Sequence, residues 1–258
     1  MAKRALWKGR IRFADVDIPV KLYSALEEKR VHFRLLHRKD HSPVVQRMMN
    51  PDTGKAIAYQ EALKAFVTDD GNLVLLNKDE LNSLAPESSR EITIATFLPA
   101  QTLDHRWYDR PYFLGPDGDT NTYSTLIDAL QTVGLDGLAQ WTMHNRIYHG
   151  VLRLHQGYPM LIALRHAEEL VPVEQLPAPA GAAPDKKELT LAKQLIGMLE
   201  APFEPDAFHD EYRESLLKLI EIKRSGGKIK PLPKRRKAAT EDLSDALAAS
   251  LKHMKKSA

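Results

Sequence analysis

Polar and apolar positions alternate with a period of two from Trp7 to Phe13. This puts Ile11 and Phe13 on one face of a strand and Lys8, Arg10 and Arg12 on the other. Pro19 confines the next segment to an edge or a strand start, after which Val20, Leu22 and Tyr23 resume apolar character around Lys21. Leu73 to Leu76, Ile92 to Ile94, Tyr112 to Leu114, Val151 to Leu154 and Met160 to Leu164 read as further short strands. Between them lie the turn signals PDTG (Pro51 to Gly54), Asp70-Gly71 and GPDG (Gly115 to Gly118), and Asp15, Asp17 and Asp69 read as turn formers too. Helical spacing interrupts the strands twice. Lys78 to Leu84 follows an Asn77 cap, and Tyr123, Leu126, Ile127 and Leu130 share a face that ends before Gly134. The pattern predicts an α+β, strand-dominated chain with an antiparallel barrel or sandwich over residues 1–170.

Residues 171–184 hold Pro172, Pro177, Pro179 and Pro184 among alanines and read as a connector. In 185–224, Asp185 and Glu188 have capping-box spacing ahead of Leu189, Ala192, Leu195, Ile196 and Leu199. A second helix is expected from an Asp206 cap through Phe208, Tyr212, Leu216, Leu219 and Ile220 to Gly226-Gly227. Two apolar stripes with no third helix nearby form an arm that must bury itself on a sheet or another subunit. Residues 225–258 then combine a cationic stretch with Leu243, Leu247, Leu251 and Met254 at helical spacing, a short amphipathic helix suited to docking on a partner.

Composition narrows the chemistry. The 258 residues, 43% of them hydrophobic, can supply a core, and the absence of cysteine excludes disulfides, thiolate nucleophiles and cysteine-ligated metal sites. No apolar run reaches the roughly 20 residues needed to cross a bilayer, and no secretion signal opens the chain, so a cytoplasmic protein without membrane contact is expected. The net charge of +3 is mild, but its distribution is not. Lys228, Lys230, Lys234, Arg235, Arg236 and Lys237 fall in a stretch without a single acid; Arg34, Arg38, Lys39 and Arg47 form a second cluster, and Arg146 with Arg153 a third. Cations presented from strand-like regions suit phosphate contacts that carry no base information.

Catalysis finds no comparable seat. There is no glycine-rich phosphate loop and no nucleophile elbow, and no cofactor is expected. His37 and His41 with Asp40 have the spacing of helical metal ligands and would serve a metal-dependent nuclease, but Pro43 opposes a helix and no third ligand is set by spacing. A nucleoid-coating protein that binds duplex without needing ends is the other alternative.

Several blocks resemble the bacterial Ku family. WKGRIRFADVDIPVKLYSA (Trp7 to Ala25) is similar to the family's WKGxIxFGLVxIPVKLYSA, with Ala14 and Asp15 where Gly and Leu are common. FRLLHRKDHSPV (Phe33 to Val44), DDGNLVLLNKDELNSLAPESSREITI (Asp69 to Ile94) and RPYFLGP (Arg110 to Pro116) follow in the family order. The run from Leu191 to Lys223 resembles the family's helical arm, and DLSDALAASL (Asp242 to Leu251) its C-terminal motif. Many relatives carry cysteines where this chain reads RMMNPDTG (Arg47 to Gly54), so any zinc or thiol role there is lost.

The resemblance implies a β-barrel core of Ku type, and a homodimeric ring that threads onto double-stranded DNA ends in non-homologous end joining without being an enzyme. It also implies that DNA ligase D docks on the C-terminal region, with Leu243, Leu247 and Leu251 as the expected contacts, and that the protein works at the bacterial nucleoid. Lys8, Arg10, Lys21, Arg34, Arg38, Lys39, Arg47 and Arg146 are the expected channel contacts, with Lys228, Lys230, Lys234, Arg235, Arg236 and Lys237 as auxiliary ones.

Overall fold

A computed structural model describes residues 4–177 and 185–226 and divides after Gln175 into two units. In the first unit, β1 (Trp7–Phe13) turns at Ala14-Asp15 into β2 (Val16–Ser24), with Phe13 opposite Val16 and Trp7 opposite Leu22. Alternation does here what the sequence pattern requires: Gly9 and Ile11 of β1, and Ile18, Val20 and Leu22 of β2, point inward and are buried. Ala14 adopts a φ of 45°, in the left-handed region that costs any residue with a Cβ.

The chain then leaves the barrel. Residues 25–90 form an arm that contains the short hairpin β3 (Lys64–Val67) and β4 (Leu73–Leu76), the one-turn helix α1 (Lys78–Ser83) and otherwise irregular backbone. Asn77 caps α1 as expected, accepting the Glu80 N–H at 2.8 Å. Asp70 and Gly71 (φ 83°) sit in the β3–β4 turn, where Asp70 accepts from Asn72 at 2.6 Å and from the Thr68 hydroxyl.

The barrel resumes with β5 (Glu91–Pro99), β6 (Tyr108–Pro116), α2 (Thr120–Val133), β7 (Leu135–Met143), β8 (Arg146–His155) and β9 (Tyr158–Leu164). Seven strands close in the order β1-β2-β6-β9-β8-β7-β5. Every ladder is antiparallel except the β1–β5 seam, where Ile11 faces Ile92 in parallel. His144 and Asn145 (φ 51° and 59°) join β7 to β8, and Gln156 and Gly157 (φ 51° and 76°) join β8 to β9, the two-residue left-handed turns that match strand twist. Helix α2 starts at the Asp119 cap and stops at Gly134 (φ 66°), and its Tyr123, Leu126 and Leu130 bury against the barrel core of Ile11, Val20, Leu22, Leu114, Trp141 and Leu152.

Strand β7 has no legible alternation because its inward positions are Gly137, Ala139, Trp141 and Met143, two of them too small to mark a face. Its Asp136 is buried, and Arg153 of β8 supplies the counter-charge while also donating to the Tyr108 hydroxyl at 2.8 Å. Arg153 is thus a member of an internal ion pair, whatever Arg146 does at the strand's exposed start.

The second unit holds α3 (Lys186–Met198) and α4 (Glu211–Arg224). The Glu188 carboxylate accepts the Asp185 N–H at 3.2 Å, the reciprocal bond of the expected capping box. The second helix starts four residues later than the Asp206 cap suggested. Pro205 supports only a 3-10 turn to Ala207, and the Asp210 side chain, accepting the Arg213 N–H at 2.9 Å, is the cap the helix uses. Ile196, Phe203, Phe208 and Tyr212 are all exposed, with the Phe203 and Phe208 rings 5.1 Å apart.

Candidate nucleic-acid interface

The expected contacts fall into two groups with opposite electrostatics. The first lies on the outer face of β1 and β2, where strand alternation that turns Ile11 and Val20 inward must turn Lys8, Arg10, Arg12 and Lys21 outward. None of these cations is bare. Asp17 accepts from Arg10 Nε at 2.5 Å and from Arg12 at 3.3 Å, while Glu91 of β5 takes the other side of Arg12 at 2.7 Å. Asp117, just past β6, bridges Lys21 at 2.7 Å and Lys8 at 3.1 Å. That bridge answers a local problem, since Lys8 and Lys21 are directly opposed in the register and would otherwise repel. The Asp17 carboxyl is held below its ordinary range chiefly by the hydrogen bond from Arg10, and that of Asp117 chiefly by the one from Lys21. Asp17, read from sequence as a turn former, is therefore a strand residue that organises its neighbours. Sequence reasoning missed Asp117 and Glu91 because only the barrel closure brings them to β1.

The second group lies on the arm. His37 to Ser42 make a tight turn closed by the Leu36–Pro43 bridge, with the His37 N–H donating to the Ser42 carbonyl at 2.8 Å. Arg38 and Lys39 stand on this turn, with Arg34 before it and Arg47 after it. A second turn follows in the PDTG segment, where Asn50 accepts from the Asp52 and Thr53 N–H groups and Gly54 takes a φ of 65°. Arg34, Arg38, Lys39 and Arg47 are exposed and make no ion pair among the described residues. Arg146, exposed at the β7–β8 turn, also makes none among them.

The residues of the nuclease alternative are spent on the same turn. Asp40 accepts the Ser42 N–H and hydroxyl and lies 2.8 Å from His37 Nδ1, so its carboxylate staples the loop. His41 sits at a φ of 57°, off any helix, so the spacing that suits helical ligands does not apply. Among the described residues no group of three or more His, Cys, Asp or Glu side chains could hold a metal ion, and no helix is long and apolar enough to cross a membrane. Lys228, Lys230, Lys234, Arg235, Arg236, Lys237, Leu243, Leu247 and Leu251 lie outside the described residues.

The arm is also exposed in its apolar side chains. Phe33, Leu35, Val45, Tyr59, Leu63, Phe66, Leu73 and Leu84 are each more than 60% exposed, and the β3–β4 sheet has neither face covered. A two-stranded sheet of this kind is marginal in water without a covering surface.

A closed barrel with a long insertion between its second and third strands defines a barrel domain of Ku type, and comparison with known proteins agrees. Residues 12–191 match the family model described as the Ku70/Ku80 beta-barrel domain. The chain is 38% identical to the non-homologous end joining protein Ku 2 of Geotalea uraniireducens, over 98% of this chain and 99% of that one. It is 32% identical to the Ku proteins of Mycolicibacterium smegmatis (95% of this chain, 80% of that one) and Bacillus subtilis (95% and 81%). The chain belongs to the Ku family.

Proposed function

We propose that this chain binds the ends of double-stranded DNA as a ring-shaped homodimer in non-homologous end joining, without regard to sequence and without catalysing a reaction. Family membership supports end joining, which is the role the relatives are named for. The observation that carries the ring is the state of the arm, whose apolar side chains are exposed and whose Arg34, Arg38, Lys39 and Arg47 make no ion pair among the described residues. A second copy of the arm buries the first set, because the same patch on two identical chains is complementary under two-fold symmetry. The duplex neutralises the second set, releasing condensed counterions with each phosphate contacted. Arg34, Arg38, Lys39, Arg47 and Arg146 are the principal contacts, Lys8, Arg10 and Lys21 are weaker ones, and Lys228 to Lys237 auxiliary ones.

Recruitment of an ATP-dependent ligase, DNA ligase D, belongs to residues 240–258 and works through Leu243, Leu247 and Leu251. Deleting these residues is expected to leave end binding intact and to abolish capture of the ligase.

Competition between linear and covalently closed relaxed circular duplex tests the central reading. A closed ring of protein admits only a free terminus, so linear DNA is expected to compete far better than the circle at equal length. Equal competition would make the protein a coating protein that ignores ends.

A further inference from the structure

On the outer face of β1 and β2, three carboxylates hold four cations: Asp17 with Arg10 and Arg12, Glu91 with Arg12, and Asp117 with Lys8 and Lys21. Counting the members, this row has a net charge of about +1 where the bare cations would give +4, four positive groups less three negative ones. Two features of its geometry decide what it can do. Asp17, Asp117 and Lys21 are the less exposed members, at 32%, 26% and 30%, while Lys8, Arg10 and Arg12 reach further into solvent at 57%, 48% and 48%. Asp17 is therefore less exposed than both arginines it holds, and Asp117 less exposed than Lys8 and about level with Lys21. Further, Arg10 spends only its Nε on Asp17, which leaves both terminal nitrogens of the guanidinium free, and each lysine has donors beyond those given to Asp117. A phosphate can approach from outside without any of the internal bonds breaking.

We propose that Asp17 and Asp117 set the strength of the DNA grip, acting as fixed counter-ions paired to Lys8, Arg10, Arg12 and Lys21. Each carboxylate holds its cations at a set spacing and cancels much of the positive charge that would otherwise displace condensed counterions from the DNA. Contacts made through this row are consequently position-setting and only weakly salt-dependent, while Arg34, Arg38, Lys39 and Arg47 of the arm carry the salt-dependent affinity. A divided arrangement suits a protein that must hold a duplex while still shifting along it, because no part of the barrel face binds phosphate at full strength. The inference rests on the reading that this face meets DNA, and it deepens that reading by assigning the residues that limit the affinity.

The test uses the full chain with Asp17→Asn and Asp117→Asn together, since asparagine keeps the size of each side chain and some of its hydrogen bonds. Binding to a linear duplex is measured across a salt series. The expected result is tighter binding, on the order of tenfold at about 0.1 M salt, and a slope of log affinity against log salt steeper by about 2, as two uncancelled charges require. The control pair Asp128→Asn with Glu168→Gln raises the net charge equally at exposed positions away from the row. A gain no larger than that of the control overturns the proposal, and so does weaker binding, which would make the aspartates supports of the fold. The same aspartate changes are then made in a chain with Lys8→Ala, Arg10→Ala, Arg12→Ala and Lys21→Ala. Loss of the gain there is expected, and its persistence overturns the proposal. Failure of the end-binding reading itself is distinct, because it appears in the unmodified chain as equal competition by linear and circular DNA.

Discussion

The barrel and the arm are built from the same kinds of residue and treat them oppositely. In the barrel, Ile11, Val20, Leu22, Ile92, Leu114, Leu152 and Leu161 are fully buried, and every cation of β1 has a carboxylate. In the arm, Leu35, Leu63 and Leu73 are about two-thirds exposed, and Arg34, Arg38, Lys39 and Arg47 pair with nothing among the described residues. Both regions obey the same physics, in which apolar area leaves water and charge seeks charge. The barrel satisfies it within one chain. The arm leaves both unsatisfied within the chain, which is the basis for proposing that a second copy and a polyanion complete it.

The sharpest way to break this contrast is to polarise the arm. Leu35→Asp with Phe66→Asp is expected to raise the dimer dissociation constant by about a thousandfold or more, taking about 2 kcal/mol or more for each central apolar anchor. Sedimentation at micromolar concentration measures it, and thermal unfolding of the barrel is expected to be little changed. Dimers that persist would mean that the arm's apolar residues face something other than a second copy.

The reverse substitution tests the other half. Ile11 is fully buried in the barrel, and Ile11→Ala is expected to destabilise it by about 3 kcal/mol, from lost transfer energy plus the cavity left behind. Urea unfolding followed by tryptophan fluorescence reads this, because Trp141 lies in the same core and Trp7 packs against it. A loss below about 1 kcal/mol would show that the barrel is as loosely packed as the arm.

What the sequence disclosed and what it withheld divide along the same line. The alternation of β1 and β2 was legible because Ile11, Ile18, Val20 and Leu22 turn inward while Lys8, Arg10, Arg12 and Lys21 turn outward, and α2 was legible from its apolar face and Gly134. β7 was not, since Gly137 and Ala139 occupy inward positions. Leu73 to Leu76 read correctly as a strand, yet nothing local says that it pairs with Lys64–Val67 on the arm and takes no place in the barrel. At the candidate interface, the cations of β1 could be read as a row, but Asp117 and Glu91 reach that row only through β6 and the parallel seam with β5. A one-dimensional reading counts charges; partners are a property of closure.

One departure from the family pattern offers a smaller effect of opposite sign. Ala14 holds a φ of 45° in the two-residue turn between β1 and β2, at the position where the Ku pattern that this segment resembles has glycine. Left-handed backbone costs alanine about 1 kcal/mol or more relative to glycine, so Ala14→Gly is expected to stabilise the barrel by roughly that amount, less the extra freedom glycine gains when unfolded. A rise in the urea midpoint checks it. No change would mean that the turn relaxes in solution to a form alanine tolerates.

Acid titration gives the finest comparison, because each region has a carboxylate held below its ordinary value. Asp104, in the loop between β5 and β6, is lowered from 3.8 to about 2, first by the hydrogen bonds from the Arg106 side chain and then by the Arg106 N–H. Asp40 of the arm is lowered too, first by the Ser42 N–H and then by His37. For a group whose folded value is depressed, the stabilisation is fully present above the unfolded value and lost as pH falls through the folded one. Asp104→Asn is therefore expected to lower the barrel's thermal midpoint above about pH 4, with the variant and unmodified curves merging near pH 2. Asp40→Asn is expected to leave that midpoint unmoved at any pH, because its bonds close a turn in a region outside the barrel's core. Circular dichroism melts from pH 2 to 6 distinguish the two. An Asp40 effect equal to that of Asp104 would show the arm and barrel unfolding as one unit, and would remove the energetic independence on which the contrast between them depends.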